Sequence, residues 1–514
     1  MVVVWAGFLA RLLFYSAVMP LWEGYDEWAH FAVVRRMAFG GQLLVPRDAP
    51  ISRDVEASLE LAPVPWELRS LPPPAVTEDE YWKLSPPERA RRLAELRALP
   101  SSWGREDGTG PLTAYEALQP PLYYWIAVPV LWIFRGSGLL AQVLALRFCS
   151  SALASLAIPL VFLIGLEAFG DPRLALGGAA IVAVMPGLAL DVARVGNDCL
   201  GVVLFTLLTW LLMRAAREVK IGFVLALGLL AKAYFLTAIP PVWVGRRFRP
   251  RLAAILVSLL VAGWWYIRNL RTTGTLSGLS ESVMLRGVGI GELVHRAAGL
   301  NWVRAIDAIL LSHLYFGGWS SLTVRSWMYH LFYLAILAAA VGLVRAFRQR
   351  AVPILLAVYL CFWLGQLYNV AILYLSKGLA GSMGWYMYAV VAAEVTLAIA
   401  GLRSIVPGRA SRWVPAAGAG MFALLDLYTM HAVAIPYYTG MIRHRASGAM
   451  EALHWRAYEG VGAAGAVERL AVFVPPAVLA GLWLLYLLGT AGAFAGAARE
   501  GAMRARKQAL PGAE

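Results

Sequence analysis

Thirteen apolar blocks interrupt the chain, at 2–21, 119–134, 143–166, 174–190, 199–213, 221–231, 233–245, 252–267, 328–346, 352–375, 385–402, 413–435 and 471–497. An α-helix rises about 1.5 Å per residue, so a block near 20 residues crosses a hydrocarbon core about 30 Å thick. The pattern predicts an all-α fold, a polytopic transmembrane helical bundle of about 11–13 spans. Residues 1–21 form its first span, 22–118 a large extracytoplasmic loop with short interfacial helices, and 119–268 the transmembrane core. Residues 269–327 form a second outer loop, and 328–514 the C-terminal helices with an outer loop near 436–470. The two short blocks around Lys232 read as a broken pair. With 22–118 and 191–198 on one side, one of the four blocks between 119 and 213 must be partial or re-entrant. Within the first loop, Ser85-Pro86-Pro87-Glu88 has capping-box spacing and opens an amphipathic, interfacial helix over about 86–99.

Composition agrees with the pattern. The chain is 60% hydrophobic and 15% charged, against about 45–50% and 25% for a soluble domain, so it has too few charges to coat soluble domains. A net charge of +14 would suggest nucleic acid in a soluble chain. Here residues 22–118 hold 16 acids and 11 bases, net −5, which leaves +19 on the other 417 residues. Much of the excess sits in short joints: Arg214/Arg217/Lys220, Arg246/Arg247/Arg249/Arg251, Arg345/Arg348/Arg350, Arg403/Arg409/Arg412 and Arg504/Arg506/Lys507. Short basic joints mark the cytoplasmic side, so the basicity reports topology and membrane lipids, not nucleic acid. Cys149, Cys199 and Cys361 lack the spacing of a disulfide framework or zinc site. The first block has no basic leader region and reads as an uncleaved span, with Arg11 snorkelling or facing other helices.

The sharpest chemical signal is Glu23-Gly24-Tyr25-Asp26-Glu27-Trp28-Ala29-His30-Phe31, directly after the first block. Asp26 and His30 share a face if the stretch is helical. A carboxylate there suits a general base toward a hydroxyl, tuned by Glu27 or His30. An acidic helix start is the plainer alternative, and a weakly held divalent metal on Asp26, Glu27 and His30 a third. Glu116 and Gln119 stand beside Pro120-Pro121, with Tyr123 next to them, able to hydrogen-bond a polar ligand; a proline helix start with an aromatic belt explains the same residues. Asp191, Arg194, Asn197 and Asp198 lie between two apolar blocks, Lys232 lies inside one, and Arg268-Asn269 ends another. Cations at membrane depth are costly and are functional candidates. Arg194, Lys232 and Arg268 would neutralise a leaving lipid phosphate, while singly each also suits snorkelling or interhelical pairing.

The order of these motifs resembles the GT-C superfamily of integral-membrane glycosyltransferases, nearest to a bacterial branch related to protein O-mannosyltransferases and lipid A aminoarabinose transferases. The matching pieces are Asp26-Glu27-x-x-His30-Phe31, Gln119-Pro120-Pro121-Leu122-Tyr123-Tyr124, Asn197-Asp198, Lys232, Trp265-Tyr266-x-Arg268-Asn269 with Gly274, and Phe316-Gly317-Gly318-Trp319. The resemblance implies a sugar moved, with inversion, from a polyprenyl-phosphate donor to a glycan, lipid or protein acceptor at the outer face of the cell membrane. It implies Asp26 as the base, Glu27 supporting it or holding acceptor, Asp198 and Arg194 lining the donor site, and Lys232 and Arg268 on the carrier phosphate. Where that branch shows Gly-Arg-Tyr, this chain reads Gly384-Trp385-Tyr386, and Lys377 or Arg325 would have to replace the cation. A transporter or flippase of a lipid-linked or anionic solute is the alternative, which predicts internal repeats and midplane charges; no repeat is visible. A non-catalytic scaffold would tolerate substitution at Asp26, Arg194 and Lys232.

Overall fold

The computed structural model describes residues 1–243 and 248–509. Arg246 and Arg247 of one basic joint lie outside the described residues, as do the side chains of Arg249, Arg504, Arg506 and Lys507. The architecture is a helical membrane bundle. Among the described residues, seven helices are long and apolar enough to cross a membrane: Leu139–Phe169, Arg251–Thr273, Ser326–Ala346, Ala351–Lys377, Gly384–Ile405, Gly408–Tyr438 and Pro476–Ala498. An eighth span results if Pro172–Ala183 and Pro186–Val192, bent by 63°, count together. Val2–Val18, Leu122–Ile133 and Asp198–Met213 are shorter apolar helices.

Two of the four blocks between 119 and 213 depart from a straight span: Pro172–Ala183, of 12 residues, bends by 63° into Pro186–Val192, and the helix after Pro120-Pro121 is equally short. Helix Leu122–Ile133 starts after Pro120-Pro121, carries Pro129 inside, and has 12 residues, about 18 Å of rise against a core of about 30 Å. The helix that opens at Glu218 stops at Ala231, because Lys232 is extended (φ −159°, ψ 142°). Only short 3-10 turns follow, at Ala233–Ala238 and Pro240–Trp243. The second half of the expected broken pair is therefore not an α-helix.

Arg11 faces other helices. Its guanidinium meets Asp426 at 2.8 Å and Thr490 at 3.2 Å, while Tyr15 and Tyr486 each donate to Asp426 at 2.7 Å. This set, in which Nε of Arg11 keeps no partner, fixes the first helix against the last. A Cβ on Gly7 would lie 3.0 Å from the Gly489 backbone, so the two helices meet at their main chains.

The first long loop is folded. It contains helices Glu27–Gly40, Arg53–Leu61, Glu78–Tyr81 and Pro86–Arg97, and a two-residue parallel pairing of Pro63–Val64 with Val76–Thr77. Ser85 caps Pro86–Arg97 by accepting from Glu88 N–H. Glu88 turns to Arg91 and Arg92 rather than back to the cap, so half of the capping box forms. Arg92 is buried and donates to the carbonyls of Glu60 and Pro74. Leu93 and Leu96 line an apolar cavity together with Met19, Leu470 and Phe473. This helix seals against protein on its apolar face.

Candidate active site

The turn after the first helix is over-determined. Glu23 is buried and accepts from the Ser320 N–H at 2.8 Å and from its hydroxyl at 2.7 Å. Tyr25 stacks on Trp385 with ring centroids 3.6 Å apart and meets Trp319 edge-on. A Cβ on Gly24 would lie 2.7 Å from Arg194 Cβ and 2.8 Å from its Cδ, so only glycine lets the arginine stem pass. Asp26 follows with left-handed backbone (φ 56°, ψ 18°), at the N-cap of helix Glu27–Gly40. Its side chain does not cap the helix; it accepts from the Tyr115 hydroxyl at 2.6 Å. A non-glycine residue in that region stores strain that its surroundings must hold.

Arg194, Asp198 and Lys232 form one buried ion network. Arg194 meets Asp198 at 2.6 Å and Asp191 at 3.1 Å, and Lys232 pairs with the other oxygen of Asp198. Asn197 donates to the Ala231 carbonyl, which ties the start of helix Asp198–Met213 to the residue before Lys232. Arg194 Nε and Nη1 are buried without a hydrogen-bond partner. Burial pushes the Asp26 carboxyl up; the Tyr115 hydrogen bond, Arg194 and Lys232 oppose that.

Glu116, His30 and Tyr124 pack beside Asp26. Tyr124 donates to the Glu116 carbonyl at 3.0 Å, and His30 Nδ1 meets the Tyr124 oxygen at 2.9 Å. His30 Nε2 faces Glu116 Oε2 at 3.6 Å. Burial, then the charge of Asp26, pushes the Glu116 carboxyl up to about 8. Burial, then Arg194 and Lys232, holds the His30 imidazole well below its ordinary value.

Three expectations from sequence change here. Glu27 is wholly buried and forms a two-pronged pair with Arg147 (2.8 and 2.6 Å), and it also accepts from Val195 N–H at 3.0 Å. Both oxygens are hydrogen-bonded within the protein, so the carboxylate braces the turn, as the supporting role requires, and offers no free oxygen to an acceptor in this structure. The Asp26, Glu27 and His30 metal set fails for the same reason, and no three His, Cys, Asp or Glu groups among the described residues are placed to hold a metal ion. Tyr123 is also internal, bonded to Ser150 and to the Gly196 N–H.

A cavity of about 610 Å³ opens beside the network. Lys232, Gln119, Tyr386, Gln366 and Asn369 supply its polar wall, and Leu276, Leu279, Leu285, Leu293 and Ile372 an apolar one. Arg286 lines it and Arg268 does not; Arg268 lies over the Trp265 ring at 5.0 Å. Asn269 donates to the carbonyls of Leu276 and Ser277 and so shapes the loop that forms the wall. Tyr386, one residue past the missing arginine, sits 5.0 Å from the Lys232 ammonium. Lys377 reaches Glu281 on the wall at 2.5 Å, and Arg325 belongs to a separate cavity with Glu451. Arg286 gave no sequence signal, because it stands in a hydrophilic loop among other arginines.

No family model and no curated protein matches the chain. Among solved structures it is similar to ArnT from Cupriavidus metallidurans bound to undecaprenyl phosphate, at 15% identity and a TM-score of 0.47, over 97% of this chain and 76% of that one. A superposition of that quality carries no conclusion about chemistry, which rests on the side chains described above.

Proposed function

We propose that the chain is an integral-membrane inverting glycosyltransferase, which moves a sugar from a polyprenyl-phosphate donor to an acceptor hydroxyl at the extracytoplasmic face. The observation that carries the reading is the placement of a carboxylate base, Asp26, in the same buried cluster as Lys232, whose side chain lines a half-apolar cavity. In this reading the cavity takes the start of the prenyl chain against its leucines and the phosphate against Lys232, with Arg286 at the wall. Asp26 removes the acceptor proton as the acceptor oxygen attacks the anomeric carbon. The bond from that carbon to the phosphate oxygen breaks, and the electron pair leaves on phosphate, where cations stabilise it. One displacement inverts the anomeric carbon. The net −5 loop that holds Asp26, set against the short basic joints, supports an outer-face site.

The test is transfer by the reconstituted chain from polyprenyl-phosphate sugars. Asp26→Asn keeps the size and the Tyr115 contact but removes the base. It should lower turnover by about 10²–10⁴-fold while carrier binding persists. Full turnover in that variant, or movement of intact lipid across vesicles without covalent change, would overturn the proposal.

A further inference from the structure

Charge counting in the cluster leads one step further, resting on the base assignment above. Four carboxyls, Asp26, Glu116, Asp191 and Asp198, gather around two cations, Arg194 and Lys232. Both cations are already engaged, Arg194 by Asp191 and Asp198, Lys232 by Asp198. Asp26 and Glu116 are left without a Lys or Arg partner among the described residues, and ionising both would leave two uncompensated negative charges in a buried site. Such a charge is expensive enough that a proton is retained instead.

Hydrogen-bond direction decides which carboxyl keeps it. Asp26 accepts from the Tyr115 hydroxyl, an arrangement that favours the carboxylate. At Glu116 the situation is reversed. Tyr124 spends its proton on the Glu116 carbonyl, so it can only accept from His30, and His30 Nδ1 is the protonated nitrogen. Nε2 then carries the lone pair and lies 3.6 Å from Glu116 Oε2. Two lone pairs would oppose one another there unless a proton lies between them. The imidazole is buried and faces Arg194 and Lys232, which disfavours placing a further positive charge on it.

We infer that Glu116 is a positioning residue that stays protonated opposite neutral His30, so that Asp26 is the one anionic carboxyl facing the acceptor and an anionic carrier can enter beside it. Ionisation of Glu116 would return the second negative charge to the site and oppose the carrier phosphate. The effect falls on KM for the phosphate-linked donor.

Two measurements on the full reconstituted chain test this. Buried Glu23 and Glu78 also retain protons, so the band is read in the wild-type minus Glu116→Gln infrared difference: the carbonyl stretch of one protonated carboxyl that fades as pH rises through about 8 and is shifted in Glu116→Asp. In transfer assays the wild-type KM should rise through the same range, about tenfold per pH unit once Glu116 ionises. Glu116→Gln should lose this alkaline limb and keep the acid limb set by Asp26, whatever its turnover. Glu116→Ala, which offers His30 no donor, should turn over more slowly than Glu116→Gln. Absence of the infrared band at neutral pH, or an unchanged alkaline limb in Glu116→Gln, would overturn the inference. If wild-type protein transfers no sugar, the proposed function fails, while the infrared band still decides where the proton lies.

Discussion

Glu27 is adjacent to the proposed base, and its fate under substitution separates a catalytic pair of acids from a base on a braced turn. Glu27 and Arg147 are both fully buried. The guanidinium also donates to the carbonyls of Ser16, Met19 and Pro20, so it holds the end of the first helix as well as the carboxylate. Glu27→Ala removes the anion paired with that arginine and leaves Val195 N–H without its acceptor. Breaking a buried pair from one side costs about 3–5 kcal/mol, and an orphaned buried N–H adds about 1–3 kcal/mol. Arg147→Met strands the carboxylate instead and should cost a similar amount. In Glu27→Ala/Arg147→Met no charge is left uncompensated, so the double variant should recover part of the loss, with a coupling of about 2–3 kcal/mol. Thermal unfolding of the purified variants in one detergent supplies the four corners of the cycle. An additive cycle, or Glu27→Ala protein that melts normally yet transfers nothing, would refute this reasoning and return Glu27 to the substrate.

Two further substitutions probe the cluster. Gly24→Ala places a methyl into the Arg194 stem; overpacking of this kind costs about 1–3 kcal/mol, and here it should also displace the guanidinium, so transfer falls further than the melting temperature suggests. Lys232→Met removes the cation on the cavity wall and leaves Asp198 paired with Arg194. It should weaken polyprenyl-phosphate binding by about 10–100-fold, the worth of a charged hydrogen bond, measured by titration in detergent.

What was legible in the sequence depended on how far each partner lies along the chain. The acidic stretch around Asp26 and the polar run from Asp191 to Asp198 were readable because their charges lie within a few positions, whereas the partners that brace the Asp26 turn, Ser320, Trp385 and Tyr115, lie far along the chain. Lys232 was readable because an ammonium in an apolar run is anomalous. The same anomaly applied to Arg147 inside the block 143–166, and weighing it would have predicted a buried acid as its partner. Nothing local said that the acid was Glu27, 120 residues earlier. The fold was legible as spans and loops, while the short helix Leu122–Ile133 and the bend between Ala183 and Pro186 emerged only from where those helices begin and end.

The buried cations nevertheless divide by a physical criterion that sequence does not contain. Arg11 and Arg147 each have a carboxylate and bonded neighbours, and neither is exposed. Arg11 and Arg194 both keep buried N–H groups without partners, so that feature does not divide them; Lys232 differs in sharing its carboxylate and lining a cavity. Sealed ion pairs stabilise helix contacts, whereas an ammonium that shares its anion and opens onto a cavity still has capacity for another. That residual capacity, rather than the presence of a cation at membrane depth, is what supports the proposed placement of the carrier phosphate at Lys232.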